Sequence, residues 1–369
     1  MAVALDLLPM ERPYSRPGDA RVVRTIGDDV EEFNGVPVWN SNIVRFGGRD
    51  FIFSHRAILT FVVMSACNAA CKFCSNEITF TPSGPYLHND ARVERIRDFA
   101  LLAGVTKVAY TGGEPTMHPQ RLYELMSAVN PGFNRARLHT NGFGLLKNIH
   151  VEDREVMLLP ALIDAGLSGV SVSVAHHEPA TNREIMRFKP ARVPWHGMSD
   201  EELRAIAAHA SERFTPRLSC VMTEEGVRNV EDMLEYMRWG RSLGFRKFIF
   251  RTCSDIPQEF RKPTEYAGYN AFNYLSIEQI SHKLDGLAEF TRTYRQRKAD
   301  SKVDVYKWGD ITFDVDESGE EVDPDPKIRR LNVMPNGVAY TSWIDPMAVL
   351  FEEDRELAAK AARREFGTK

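Results

Sequence analysis

Residues 57–64, AILTFVVM, indicate the fold of this chain most clearly. They are followed almost directly by Cys67-Asn-Ala-Ala-Cys71-Lys-Phe-Cys74. A continuous apolar run of this length is typical of a strand that is buried on both faces, as in a parallel sheet. Active sites of parallel α/β folds lie at the carboxyl ends of the strands. The sequence therefore predicts that three thiols meet at the mouth of a parallel α/β structure.

Strand-like and helix-like segments alternate after this run. Further strands are predicted at residues 106–111, 136–140, 169–175, 217–222 and 247–252, and helices at 90–103, 119–129, 154–165, 200–212 and 229–243. Such alternation implies a parallel sheet with right-handed crossovers. Six strand–helix units are fewer than the eight of a complete barrel. The predicted fold class is α/β, a partial (β/α)6 barrel that resembles an incomplete TIM barrel.

The segments that flank the barrel have a different character. Residues 1–55 are rich in Pro, Asp and Arg and are interpreted as an N-terminal extension with two short strands. Residues 56–255 are predicted to form the barrel. Residues 256–369 are predicted to form a C-terminal cap that ends in a tail helix. Within the cap we expect a long helix over 276–297, an acidic linker over 314–327, a hairpin over 330–343 that turns at Asn336-Gly337, and a charged helix over 352–366.

Composition excludes several classes of function. The 369 residues are 43% hydrophobic and carry a net charge of −4, as in an ordinary globular protein. There is no basic stripe that would indicate nucleic-acid binding. No apolar run approaches the roughly 18–20 residues that a membrane span requires, and the first residues lack the apolar core of a signal peptide. We expect a cytoplasmic protein.

The cysteines indicate metal binding rather than disulfides. Five cysteines are present, an odd number, and three of them fall between residues 67 and 74. Thiolates are soft ligands that suit iron–sulfur clusters or zinc. A closed structural zinc site needs four ligands, whereas three thiolates on a four-iron cluster leave one iron open. A zinc-stabilised binding protein, with its fourth ligand from elsewhere in the chain, remains the alternative.

The Cys-x-x-x-Cys-x-x-Cys spacing, with Phe73 before the last thiol, resembles the signature of the radical S-adenosylmethionine (SAM) superfamily. That resemblance implies one [4Fe–4S] cluster on Cys67, Cys71 and Cys74, with SAM as the second cofactor. It also implies that an external one-electron donor, such as flavodoxin or ferredoxin, reduces the cluster. Reductive cleavage of SAM would then yield a 5′-deoxyadenosyl radical that abstracts hydrogen from a small-molecule substrate.

Three further segments extend the resemblance, at one segment for each strand. Gly112-Gly113-Glu114-Pro115 follows the second strand and is similar to the family's GGEP motif, which meets the amino group of SAM. Two glycines allow close backbone approach, and a carboxylate can pair with an ammonium group. Thr140-Asn141 at the third strand resembles the family's TNG segment, and Ser173 at the fourth strand matches a serine that contacts SAM in several members.

The C-terminal third is similar to that of the GTP 3′,8-cyclase branch, which begins molybdopterin synthesis. In that branch three further cysteines hold a second cluster, but the matching positions here are Asp325, Ile328 and Ser342. The resemblance therefore implies a single-cluster relative with a different substrate, such as a natural-product or nucleoside-antibiotic enzyme. We expect a nucleotide- or nucleoside-like substrate and a cyclisation or carbon–carbon bond formation.

Three arginines are the candidate substrate contacts. Arg251 is predicted at the carboxyl end of the sixth strand, and Arg329 and Arg330 lie on the cap segment that lines the substrate chamber in the resembled branch. A guanidinium group can bind a phosphate or a carboxylate through two hydrogen bonds. The remaining enzymatic alternative is a peptide-modifying radical SAM protein, although residues 1–55 look too short and irregular for a leader-binding domain.

Overall fold

The structure is a computed structural model that describes residues 19–190, 195–253, 256, 258–262, 264–298, 301–317 and 327–366. The described chain begins with four strands: β1 (Arg21–Ile26), β2 (Glu31–Phe33), β3 (Val36–Val38) and β4 (Ser41–Phe46). β1 pairs with β4 and β2 with β3, both antiparallel. The N-terminal extension is thus more regular than the two short strands that the sequence predicted.

The next strand, β5 (Arg49–Val62), connects this extension to the barrel. Its first residues pair antiparallel with β4, and the residues from Ile58 onward pair parallel with the next barrel strand. The expected boundary between extension and barrel, at residues 55 and 56, falls inside this single strand of 14 residues. The extension and the barrel therefore share one continuous backbone ladder.

The barrel follows the predicted alternation. Its elements after β5 are α1 (Ala91–Leu102), β6 (Lys107–Thr111), α2 (Pro119–Val129), β7 (Arg135–Thr140), β8 (Asn148–Val151), β9 (Arg154–Met157), α3 (Leu158–Asp164), β10 (Leu167–Ser173), α4 (Pro179–Met186), α5 (Asp200–Ser211), β11 (Arg217–Val221), α6 (Val230–Ser242) and β12 (Lys247–Arg251). The strands β5, β6, β7, β10, β11 and β12 pair in that order, all parallel. The predicted partial (β/α)6 barrel is confirmed.

The cap adds a strand to each edge of this sheet. Its elements are α7 (Glu265–Phe272), α8 (Ile277–Asp285), β13 (Thr291–Lys298), β14 (Ser301–Trp308), β15 (Ile311–Glu317), β16 (Ile328–Val333), β17 (Ala339–Tyr340) and α9 (Arg355–Phe366). β15 pairs parallel with β12, and β16 pairs parallel with β5. β16 and β17 form the predicted hairpin, with Gly337 at a φ of 76° in its turn.

Two predicted helices are wrong in part. Residues 154–165 begin as the strand β9, which pairs with β8 before α3 starts. The long helix over 276–297 ends as α8 at Asp285, where Gly286 follows, and residues 291–298 form β13. Glycine just past a helix and the Thr–Tyr alternation of β13 were the overlooked signals. The expected acidic linker also starts later, because residues 314–317 belong to β15; residues 318–326 lie outside the described residues.

Side chains of the parallel strands alternate between two environments. One set packs under the helices in the main hydrophobic core, for example Leu59, Phe61, Leu138, Phe250 and Leu331. The residues between them face the inside of the barrel, which we call the lumen. No helix in the described part of the chain is long and apolar enough to cross a membrane.

A buried ion pair attaches the C-terminal segment to the barrel. The Arg92 guanidinium on α1 donates to the carboxylate of Asp354, which is 0% exposed, just before α9. Arg92 also donates to the carbonyl of Gly337 in the hairpin turn. One side chain of α1 therefore holds both the hairpin and the start of the tail helix.

We expect the variant Asp354→Ala to lose about 3–5 kcal/mol of unfolding free energy, because it leaves a buried guanidinium without its counter-charge. Denaturant unfolding at neutral pH measures the loss. The matched control is Glu352→Ala on the same turn, whose carboxylate is 57% exposed and pairs with Arg49; it should lose less than about 1 kcal/mol. Equal losses in the two variants would contradict this assignment.

Candidate active site

The loop that carries the three thiols follows β5 and rests on the end of α4. Ala69 forms an antiparallel bridge with Phe188, and the backbone N–H of Lys189 donates to the carbonyl of Asn68 at 2.8 Å. The N–H of Lys72 donates to the carbonyl of Ile185 at 3.0 Å. The loop is therefore fixed on both sides of Cys71, as a rigid ligand set requires.

Burial disfavours the charged thiolate form of all three cysteines. Burial raises the pKa of Cys67 to about 12 and also raises the pKa values of Cys71 and Cys74. The backbone N–H of Ala69 donates to the Cys67 sulfur at 3.4 Å, and this hydrogen bond lowers the pKa of Cys67 and so opposes the effect of burial. Such N–H···S bonds tune iron–sulfur clusters, and a bound metal removes the thiol protons.

The three thiols suit an iron–sulfur cluster by their chemistry. Thiolates are soft ligands, and three of them on a four-iron cluster leave one iron open for a further ligand. Among the residues that the structure describes, no group of three or more His, Cys, Asp and Glu side chains is arranged to hold a single metal ion.

The glycine pair after β6 is locked against the thiol loop. The N–H of Gly113 donates to the carbonyl of Met64 at 2.8 Å, and the N–H of Glu114 donates to the carbonyl of Ala66 at 3.0 Å. The Asn76 amide donates to the carbonyl of Gly112 at 2.8 Å. A Cβ at Gly113 would lie 1.9 Å from the Ala66 carbonyl oxygen. Only glycine fits there, so this segment and the thiol loop are positioned together.

The carboxylate of Glu114 is buried and occupied by donors from the chain itself. It is 1% exposed and accepts from the Thr116 N–H at 2.8 Å, the Thr116 hydroxyl at 2.6 Å, the Thr140 hydroxyl at 2.6 Å and the Asn141 N–H at 2.7 Å. Burial raises the pKa of Glu114, and these hydrogen bonds oppose that shift. Thr140 and Asn141, predicted from sequence, are thereby joined to the glycine segment.

Several buried polar atoms at the carboxyl ends of the strands have no partner in the protein. Asn141 donates to the Asn68 side chain at 2.8 Å, and the Asn68 amide nitrogen beside Cys67 is unpaired. The hydroxyl of Thr252, after β12, is also buried and unpaired, and the hydroxyl of Thr223, after β11, has only the Tyr269 hydroxyl near it. Ser173 is half-buried on the lumen face of β10. Unpaired buried groups are costly, so these atoms fit a polar ligand such as SAM. Asn68 and Thr223 each follow a predicted strand and Thr252 is the last residue of another, but none of the three is among the residues predicted for the site.

Arginine side chains converge in the lumen below the thiol loop. Burial and then, in decreasing order, the charges of Arg251, Arg217, Arg137 and Arg330 hold the pKa of His139 well below its ordinary value. Arg217 pairs with Asp314 at 3.4 Å and Arg251 with Asp316 at 3.6 Å. The charges of four guanidinium groups thus act on one imidazole, and two carboxylates pair with two of these groups, so the net charge of this set is positive.

The structure separates the three arginines that the sequence proposed for substrate. The charges of Arg251 and Arg330 both lower the pKa of His139, whereas Arg329 lines a different cavity of about 480 Å³. That cavity lies at the amino ends of the parallel part of β5 and of β16, with Trp39, Arg56 and Lys327 in its lining. The register of β16 against β5 shifts between Ile328 and Arg330, so the regular alternation of side chains is interrupted at Arg329.

Two of the positions that hold second-cluster cysteines in the resembled branch are described. Ile328 is buried at the start of β16, and the Ser342 hydroxyl accepts from the N–H groups of Ile344 at 3.2 Å and Asp345 at 3.1 Å. Asp325 lies outside the described residues. Ser342 is therefore used in a local turn, and neither described side chain is a ligand for iron.

Comparison with known proteins identifies the domain. Residues 61–237 match the model of the radical SAM superfamily. GTP 3′,8-cyclase from Chlorobaculum tepidum is 39% identical over 30% of this chain and 31% of its own length. The enzyme of that name from Acidothermus cellulolyticus is 28% identical over 58% of this chain and 62% of its own length. The chain thus spans less than two thirds of these relatives. Among solved structures, the radical SAM enzyme coproporphyrinogen III oxidase from Escherichia coli aligns with 64% of this chain and 54% of its own, at 14% identity and a TM-score of 0.38.

We expect Gly113→Ala to reduce iron incorporation by more than half, because the added methyl group displaces the thiol loop at Ala66. Iron and sulfide are counted per chain after anaerobic reconstitution. Gly268→Ala is the control, since no atom lies within 4 Å of its added Cβ. If Gly113→Ala loads iron as well as the control does, the thiol loop does not depend on this contact.

Proposed function

Given that residues 61–237 form a radical SAM domain, we propose that this chain is an enzyme that abstracts hydrogen from a small, anionic, nucleotide-like substrate during a biosynthetic cyclisation or carbon–carbon bond formation. A [4Fe–4S] cluster on Cys67, Cys71 and Cys74, together with SAM, would supply a 5′-deoxyadenosyl radical after one-electron reduction by an external donor. The protein's own residues bind, orient and shield the reactants.

The residues around the thiol loop serve to hold the cofactors. The glycine segment is bonded to the thiol loop, so its remaining backbone groups are fixed for a ligand at the open end of the cluster. Asn68 offers an unpaired amide nitrogen beside Cys67. Glu114 has four donors already and is best interpreted as a positioning residue for Thr140 and Asn141 rather than as a direct contact of the SAM amino group.

The observation that carries the substrate class is the set of four arginines around His139. Arg217 and Arg251 each face one carboxylate, whereas Arg137 and Arg330 are exposed within the lumen. Guanidinium groups bind phosphate and carboxylate oxygens through paired hydrogen bonds. Burial and the surrounding positive charge keep the pKa of His139 low, so the imidazole stays neutral near pH 7 and adds no further charge.

The substrate is proposed to differ from that of the curated relatives. Those relatives are named GTP 3′,8-cyclase, but the second-cluster positions of that branch carry Ile328 and Ser342 here. Neither side chain ligates iron, and Ser342 accepts two backbone N–H groups. A substrate that is held by arginines rather than by a second cluster accounts for both observations.

The cluster assignment is tested by replacing Cys67, Cys71 and Cys74 together with alanine. Wild-type protein with dithionite and SAM should release 5′-deoxyadenosine, and the triple variant should release none that chromatography can detect. Cys220→Ala, which removes a buried thiol of the outer core, is the control and should retain release. Undiminished release by the triple variant would refute the proposed site.

The anion site is tested with inorganic tripolyphosphate as the probe, by calorimetry on the reconstituted enzyme. We expect Arg251→Met to bind it about tenfold more weakly or worse, because one charge-assisted interaction of about 1.5–3 kcal/mol is lost. The control is Arg241→Met on the outer surface, whose partner is Asp310 at 3.1 Å. Equal affinity in all three proteins would argue against a lumen site for anions.

A further inference from the structure

Asn332 is a fully buried amide without a hydrogen-bond partner. It lies on β16, is 0% exposed, and neither its amide nitrogen nor its amide oxygen has a partner in the protein. An unsatisfied buried polar group destabilises the folded state, and here two such groups share one side chain. Buried polar atoms in folded proteins are almost always paired, so this exception calls for a specific cause.

The position of Asn332 on its strand shows which side it faces. Its neighbours Leu331 and Val333 belong to the outer hydrophobic core, so Asn332 between them faces the lumen. Its register partner on β5 is Thr60, which lies between the outer-core residues Leu59 and Phe61. The amide therefore belongs to the same inner surface as the arginines.

Arg330 relates Asn332 to the proposed anion site. The two residues lie two positions apart on the lumen face of β16, and Asn332 is nearer the carboxyl end, towards the thiol loop. Arg330 is exposed, and its charge contributes to the lowered pKa of His139. Asn332 therefore lies between Arg330 and the thiol loop along this face of the strand.

We propose that Asn332 is a specificity-determining residue that binds the amide-like edge of the substrate, in which an N–H donor and a carbonyl acceptor lie side by side. Purine and pyrimidine bases and lactams carry such an edge. A carboxamide complements it with one acceptor and one donor, and both are free in Asn332. Contact requires the side chain to turn towards Arg330. This inference rests on the proposed function, since it takes its ligand from the arginine site.

The first test is stability, which needs no ligand. If Asn332 has no partner in the protein alone, Asn332→Leu should raise the melting temperature, because a similar volume is kept and two unpaired groups are removed. Asn130→Leu is the matched control: Asn130 accepts from the Tyr110 hydroxyl at 2.7 Å and donates to the Ala165 carbonyl at 2.7 Å. The control should melt at a lower temperature than the wild type. A comparable fall in Asn332→Leu would overturn the proposal, because it would show that the amide has a structural role.

The second test is base discrimination. Dissociation constants for ATP, GTP, CTP, UTP and inorganic tripolyphosphate are measured on the reconstituted enzyme. We expect the wild type to prefer one base by about tenfold or more, as a two-point contact provides, and Asn332→Leu to bind all four nucleotides alike. A preference that survives in the variant, or no preference in the wild type, overturns the proposal.

The two tests separate this inference from the proposed function. Tripolyphosphate that binds without any base preference leaves the anion site intact and refutes the role of Asn332. Failure of every probe to bind, including tripolyphosphate, refutes the anionic substrate class and, with it, the proposed role of Asn332.

Discussion

Glu114 is the contact on which the geometry of the candidate site depends. A buried carboxylate with four donors ties the turn after β6 to the end of β7. Its own backbone N–H reaches back to Ala66 in the thiol loop. Three neighbouring strand ends are thereby held in one arrangement, and the ligand groups need no reorganisation when a cofactor binds.

Below the strand ends that Glu114 holds together, the lumen of the barrel carries charged side chains. The helices bury one face of every barrel strand in a continuous apolar core, which leaves the opposite face free for polar side chains. Arg137, Arg217 and Arg251 occupy that face beside Asp314 and Asp316. The desolvation of Arg217 is offset only in part by the carboxylates, since its pKa is lowered to about 10, and the proposed anion would supply further counter-charge.

Sequence patterns predicted the parts of the molecule that depend on local order. Residues 119–129 form α2 as expected, and the apolar run at 57–64 lies largely within β5. The charges of Arg251 and Arg330 both act on His139, whereas Arg329 lines a separate cavity; the role of all three in substrate binding stays a prediction. His139 and Asn332 could not be found from the sequence, because the face on which a strand residue lies depends on register with a distant strand. The prediction of one helix over 276–297 is wrong because the helical pattern of α8 ends at Asp285, before Gly286, and β13 follows.

The pairing of β16 with β5 has a consequence for how this chain folds. Leu331 lies beside Leu59, although nearly the whole barrel separates them in sequence. Contacts of such long range close late, because the entropy of joining distant segments must be overcome first. The six central strands can assemble by local steps, whereas the edge at β16 waits for the C-terminal segment. We therefore expect the strand that carries Asn332 to join the sheet after the six central strands have paired.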